Sequence, residues 1–88
     1  MNEVSFAEQM RLLGHPVSEW SNGPGYRYSA HSHPYQKILC CLEGSIVFHV
    51  NDRDVRLSAG DRTVIEAGVE HAATVGASGV RCAEAHVS

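Results

Sequence analysis

The sequence lacks the features that would direct the protein to a nucleic acid or a membrane. Its seven Lys and Arg residues are scattered and its formal net charge is -3, so no basic stripe is available to follow a phosphate backbone. The longest uninterrupted apolar run covers residues 38–42, far short of the roughly eighteen residues that a membrane-spanning helix needs. The N-terminal residues also lack the basic and apolar regions of a signal peptide. We therefore expect a cytoplasmic protein without nucleic-acid or membrane partners.

Cysteine is scarce and odd in number, which argues against a disulfide framework. The chain has three cysteines, Cys40, Cys41 and Cys82, and no C-x-x-C spacing of the kind found in zinc sites. Adjacent residues on a strand point to opposite faces, so Cys40 and Cys41 would face away from each other. We expect all three to be free thiols that pack as small apolar groups.

What the sequence does contain indicates one small globular domain with a short N-terminal helix. Its 88 residues, 43% of them apolar and 19% charged, allow a single modest core. Ser5 can cap a helix with Glu8 in capping-box register, and Phe6, Met10 and Leu13 form one apolar stripe. We assign residues 1–24 to this helix and an extended arm, and residues 25–88 to a β-barrel within the same domain.

The remainder of the chain is predicted to be all-β. Short runs of β-forming residues alternate with segments rich in Gly, Asn, Asp and Ser, at residues 43–44, 58–61, 66–68 and 76–79 among others. Gly44, Gly60 and Gly68 are expected to adopt positive φ at chain reversals. A barrel this small exposes strand edges, so we expect a homodimer. The predicted strands cover residues 26–33, 36–42, 45–50, 54–57, 62–66, 69–75 and 80–87.

Histidine is the residue type that suggests chemistry. His31 and His33 are two positions apart, so on a strand both imidazoles would face the same way and could bind one metal ion. The alternative is that polar residues simply fill the mouth of a narrow barrel. His15 and His49 are expected at the surface or in hydrogen bonds, whereas His86 could approach the pocket.

The spacing around the histidine pair resembles the two sequence motifs of the cupin superfamily. Residues 25–44, GYRYSAHSHPYQKILCCLEG, are similar to the first motif, G-x5-H-x-H-x3or4-E-x6-G. Residues 60–75, GDRTVIEAGVEHAATV, are similar to much of the second, G-x5-P-x-G-x2-H-x3-N. Lys37, Glu66 and Val75 stand where these motifs have glutamate, proline and asparagine.

The resemblance implies a small, single-domain cupin with an all-β, cupin-type barrel of two antiparallel sheets (a double-stranded β-helix, or jelly roll) and the short helix packed outside. It also implies that His31, His33 and His71 bind a divalent transition metal such as Zn, Fe, Ni, Mn or Cu. Three imidazoles leave coordination positions open for water or substrate. The resemblance does not make Lys37 a metal ligand.

Two functions are consistent with these residues. The first is a metal-binding cupin with a small-molecule pocket, acting as a dioxygenase or isomerase if it is an enzyme. The second is a non-catalytic ligand-binding or sensor module in which metal is absent or optional and Lys37 contacts an acidic or sugar-like ligand. The sequence identifies no catalytic residue. Lys37, Tyr35 and His86 are candidate pocket residues, while Trp20, Tyr26 and Tyr28 are expected to serve packing.

Lys37 poses an electrostatic problem for a metal site. A single positive charge about 5 Å from a divalent ion costs roughly 7 kcal/mol at an effective dielectric constant of 20. The lysine side chain can turn outward, lose its proton, pair with Glu43 or Glu84, or hold an anionic ligand at the metal. If none of these four arrangements holds, the chain has no metal site at these histidines.

Overall fold

One helix and six β-strands are found among residues 5–87, the part of the chain that the computed structural model describes. The prediction of an all-β fold with one short N-terminal helix is confirmed, and no helix among these residues is long and apolar enough to cross a membrane. The elements are α1 (Phe6–Leu12), β1 (Val17–Asn22), β2 (Arg27–His31), β3 (Gln36–Val50), β4 (Arg53–Ser58), β5 (Arg62–Ile65) and β6 (His71–Val87).

The two longest strands, β3 and β6, form the centre of the barrel. They pair antiparallel along their lengths, from Gln36 opposite Val87 to Val50 opposite His71. β5 and β4 pair with the first and second halves of β3, while β2 and β1 pair with the first and second halves of β6. Each wall of the barrel therefore contains four strand segments, and β3 and β6 run through both walls.

Two glycines bend the long strands where they pass from one wall to the other. We predicted that turns at residues 43–44 and 76–79 would separate shorter strands, and this is wrong because β3 and β6 continue through both segments. The β3–β6 register shifts on either side of Gly44, and Gly44 and Gly79 have φ of 76° and 79°. Such bulges bend a strand without ending it. Positive φ at Gly44, Gly60 and Gly68 is as predicted.

Apolar residues cover both faces of the wall that contains the first half of β3. The inner cluster, which includes Leu39, Cys41 and Cys82, fills the barrel. The outer cluster packs Phe6 and Met10 of α1 against the sheet, together with Cys40, Ala83 and Ala85. The three cysteines are free and buried, with Cys40 and Cys41 on opposite faces as predicted.

The N-terminal segment differs from its prediction in two respects. Ser5 does cap the helix, accepting a hydrogen bond from the backbone N–H of Glu8 at 3.1 Å. Leu13, however, follows the last helical residue and is 66% exposed, so it does not extend the buried stripe. The segment predicted as an extended arm contains strand β1, in which Trp20 lies opposite Cys82. The polar sequence of this strand gives little indication of its pairing.

We expect Gly44→Ala to destabilise the protein strongly. Position 44 has positive φ, and a Cβ there would overlap the backbone carbonyl of Gly79. The free energy of unfolding, measured by urea denaturation, should fall by more than about 2 kcal/mol. Gly23→Ala is the matched control, because its Cβ would meet no atom within 4 Å. An unchanged midpoint for Gly44→Ala would contradict this account of the bend.

Candidate metal centre

Three histidine side chains meet inside one end of the barrel. His31 is the last residue of β2 and lies opposite His71, the first residue of β6. One ligand atom from each of His31, His33 and His71 lies within 4.8 Å of the other two. The sequence pattern predicted that His31 and His33 share a strand, but β2 ends at His31 and a loop carries His33.

Backbone irregularities bring these side chains together. Tyr28 and His31 line the same cavity although they are three residues apart, which a regular strand would not allow. The β2–β6 register shifts between them, and this bulge turns His31 inward. The loop of His33 is tied to the loop before β6, because the N–H of Gly68 donates to the carbonyl of His33 at 2.8 Å.

The hydrogen bonds of the three rings leave nitrogen atoms suited to metal binding. The Nδ1–H of His31 donates to the carbonyl of Ser29 at 2.7 Å, and that of His71 donates to the carbonyl of Val69 at 3.0 Å. Since a carbonyl only accepts, the lone pair of each ring in its neutral form is on the Nε2 atom. The Nε2 atom of His33 is buried with no hydrogen-bond partner among residues 5–87. This donor set fits a divalent transition metal.

Burial also favours the neutral form of two of these histidines. Desolvation lowers the pKa of His33, and the positive charge of Lys37 and the neighbouring His31 lower it further. Desolvation likewise lowers the pKa of His71, although its hydrogen bond to Val69 acts in the opposite direction. Both imidazoles are therefore neutral at neutral pH, which is the form that binds metal.

A cavity of about 230 Å³ opens beside the histidines. We expected Trp20 and Tyr28 to serve packing; they do pack against the inner core, but they also line this cavity. Its polar lining is His31, His71, Lys37 and Glu84, and its apolar lining is Trp20, Tyr28, Phe48 and Ala73.

Lys37 faces inward and pairs with Glu84. The ammonium lies 3.2 Å from the Glu84 carboxylate, and the two side chains are only 12% and 10% exposed. This geometry excludes an outward-facing lysine. The other candidate partner, Glu43, instead pairs with Arg81 at 2.9 Å on the surface. Of the alternatives for Lys37, the structure therefore has the ion pair with Glu84.

Glu84 is held by three neighbours. Its Oε1 accepts a hydrogen bond from Nε1 of Trp20 at 2.8 Å and also meets Lys37, while its Oε2 lies 2.7 Å from Nε2 of His86. Burial alone raises the pKa of Glu84, but His86, Lys37 and Trp20 lower it, and the net pKa is below its usual range. The carboxylate is thus ionised and neutralises Lys37.

Two of the predicted pocket residues lie beside the cavity rather than in its lining. Tyr35 stacks on His33 with ring centroids 5.2 Å apart, and its ring lies 4.4 Å from that of His86. Through Tyr35 and His86, these contacts link the candidate ligand His33 to Glu84. His49 is in the hydrogen-bonded position predicted for it, with Asp54 and Thr74 as partners.

Comparison with known proteins agrees with this architecture. The sequence model of the cupin domain family matches residues 18–82, a span that begins within β1. The chain belongs to the cupin family. No curated protein sequence matches this cupin significantly.

Many solved structures share the fold of this cupin. A cupin-2 domain protein from Shewanella frigidimarina is 19% identical, with a TM-score of 0.72 over 84% of this chain and 71% of that one. A conserved protein with a double-stranded β-helix domain from Klebsiella pneumoniae is 26% identical, with a TM-score of 0.71 over 81% and 64%. A DMSP lyase from Ruegeria pomeroyi is 22% identical, with a TM-score of 0.76 over 82% and 37%. This cupin therefore spans less than two thirds of the last two chains.

Glu84→Gln should destabilise the fold, because it leaves the Lys37 ammonium without its buried counter-charge. We expect the free energy of unfolding to fall by about 3 kcal/mol. Glu43→Gln removes a glutamate from an exposed ion pair and should cost less than about 1 kcal/mol. Urea denaturation of both variants measures the difference. An equal fall in the free energy of unfolding for both variants would contradict the stabilising role assigned to the buried Lys37–Glu84 pair.

Proposed function

We propose that this cupin binds a divalent transition-metal ion through His31, His33 and His71 and holds a small molecule in the adjoining cavity. The buried Nε2 atom of His33, which has no partner within the described part of the chain, carries this proposal. A buried polar atom without a partner costs about 1–3 kcal/mol, and a bound ion would remove that cost.

The arrangement of the other rings supports metal binding over simple polar filling. The Nδ1 atoms of His31 and His71 bond to backbone carbonyls, which leaves the Nε2 atom of each neutral ring as the one with a lone pair for an ion shared with His33. Hydrogen bonding of one ring nitrogen to a carbonyl is the usual support for a metal-ligating histidine.

A bound divalent ion would supply Lewis acidity or a site for dioxygen, which is the basis for the dioxygenase and isomerase hypotheses. The chain itself contributes the other elements of the site. His31, His33 and His71 would hold the ion, and Glu84 fixes Lys37 where it can donate to an oxygen atom of the ligand. Trp20, Tyr28 and Phe48 give the cavity an apolar wall.

A second candidate is a non-catalytic binding module that needs no metal. The inward-facing Lys37 favours it, because its ammonium offers the ligand a charged hydrogen-bond donor that does not depend on an ion. The two candidates differ in metal content. The first requires nearly stoichiometric metal, whereas the second keeps ligand-induced thermal stabilisation after the metal is removed.

Protein purified without added metal should contain nearly one transition-metal ion per chain, and His71→Ala should remove it. Loss of supporting residues around a metal ligand already costs roughly 10–100-fold in affinity, so loss of a ligand should cost more. Elemental analysis and calorimetric zinc titration measure both quantities. His15→Ala is the control, since His15 lies outside the three-histidine group. Wild-type affinity in His71→Ala would sink the proposal.

His33 and His71 should keep contributing to metal affinity at a lower pH than free imidazole would allow. An unperturbed histidine titrates near about 6.5, but burial lowers the pKa of His33 and His71, so these rings stay neutral below that pH. Affinity should fall as the pH drops through the lowered pKa values, because protons then compete with the ion. Zinc titrations across this pH range test whether affinity falls in this way. A loss of zinc affinity that begins above about pH 7 would contradict this prediction.

A further inference from the structure

The aromatic lining of the cavity offers mainly ring surfaces. The Nε1–H of Trp20 already donates to Glu84, while the hydroxyl of Tyr28 accepts a hydrogen bond from the side-chain amide of Asn22 and keeps its own O–H donor. The Trp20 and Tyr28 rings meet edge to face, with centroids 5.5 Å apart. Polar groups of a ligand would lose their hydrogen bonds to water against such walls. A ligand with an apolar face therefore fits this side of the cavity, and an aromatic ring fits it well.

Lys37 is the charged group of the cavity with donors to spare. An ammonium has three N–H donors, and Glu84 is its one ion-pair partner among residues 5–87. Glu84 has little capacity left, since Trp20, Lys37 and His86 already occupy its oxygens. When an ion occupies the Nε2 atoms of His31 and His71, a ligand would thus meet a charged donor and few free acceptors. A carboxylate is the organic group that matches this donor.

The charge and the volume of the cavity restrict the class of ligand further. Lys37 and Glu84 cancel each other, so a divalent ion held by three neutral imidazoles would leave the cavity positive and favour an anion. The cavity volume of about 230 Å³ is below the roughly 300–1,000 Å³ typical of pockets for drug-sized ligands. One ring with one acidic group is therefore a suitable size.

We propose that the ligand of this cavity is a small aromatic monocarboxylic acid. Its carboxylate accepts hydrogen bonds from Lys37 beside the three-histidine centre, and its ring lies against Trp20, Tyr28 and Phe48. This inference rests on the proposed small-molecule function and names the ligand class. It is narrower than the acidic or sugar-like ligand expected from the sequence, because it names a molecule with one charged end and one aromatic ring.

The intrinsic fluorescence of Trp20 provides the test, because Trp20 is the chain's single tryptophan and lines the cavity. Benzoate, benzyl alcohol and gluconate are titrated into the zinc-loaded full chain, with calorimetry as a second readout. Benzoate should bind at least about tenfold more tightly than either of the others. Benzyl alcohol lacks the charge and gluconate lacks the ring. Removal of zinc by a chelator should weaken benzoate binding, since part of the positive charge is lost.

Lys37→Met tests the role of the ammonium while keeping a side chain of similar length. It should abolish the preference for benzoate over benzyl alcohol, because benzoate binding falls much further than benzyl alcohol binding. Arg81→Met removes an exposed cation of the β1–β6 region and should leave the preference intact. A general loss of stability would weaken binding of both aromatic compounds alike. If Lys37→Met does not fold, the preference of the wild-type chain for benzoate over benzyl alcohol and gluconate still tests the proposal.

The outcomes separate this inference from the proposed function. Gluconate or benzyl alcohol binding as tightly as benzoate, or no benzoate binding at millimolar concentration, would overturn the inference, while His71-dependent metal binding would still support the proposed function. Conversely, benzoate binding that depends on Lys37 in a protein without His71-dependent metal binding would support the aromatic-acid site and overturn the metal proposal.

Discussion

The candidate metal centre depends on hydrogen bonds from two imidazole rings to the backbone. Through their Nδ1 atoms, His31 and His71 are fixed to the carbonyls of Ser29 and Val69, so their Nε2 atoms are available at the barrel interior. These carbonyls belong to the same local segments as the histidines. The orientation of each ring is thus built into the bulge of β2 and the loop before β6, and the long β3–β6 pairing keeps those segments in place.

The Lys37–Glu84 pair makes a cationic residue compatible with this centre. Lysine stands where the cupin motif has a glutamate, and alone it would repel a divalent ion by several kcal/mol. The carboxylate that compensates for it comes from the neighbouring strand β6, and Trp20 and His86 keep that carboxylate ionised. The pair also gives the cavity a charged hydrogen-bond donor. The same interaction therefore connects the stability of the fold with the proposed metal and ligand sites.

The sequence predicted the parts of the site that depend on motif spacing. The grouping of the three histidines is what the cupin resemblance implies, the positive-φ glycines follow from turn chemistry, and the opposite orientations of Cys40 and Cys41 follow from strand alternation. Three features could not be predicted because they depend on pairing between distant segments: the continuity of β3 and β6, the β2 bulge and the inclusion of β1. Gly44 illustrates the reason, since positive φ occurs both in a turn and in a bulge. Glu84 was one of two candidate partners for Lys37, and only the β3–β6 register distinguishes it from Glu43.

X-ray absorption spectroscopy of the zinc-loaded protein tests the central claim most directly, because it identifies the atoms bound to the ion. The account predicts a zinc edge whose fine structure contains the outer-shell scattering of three imidazole rings, one of which is lost in His33→Ala. A zinc environment with sulfur ligands, or with no imidazole scattering, would contradict the convergence of His31, His33 and His71 on a metal ion.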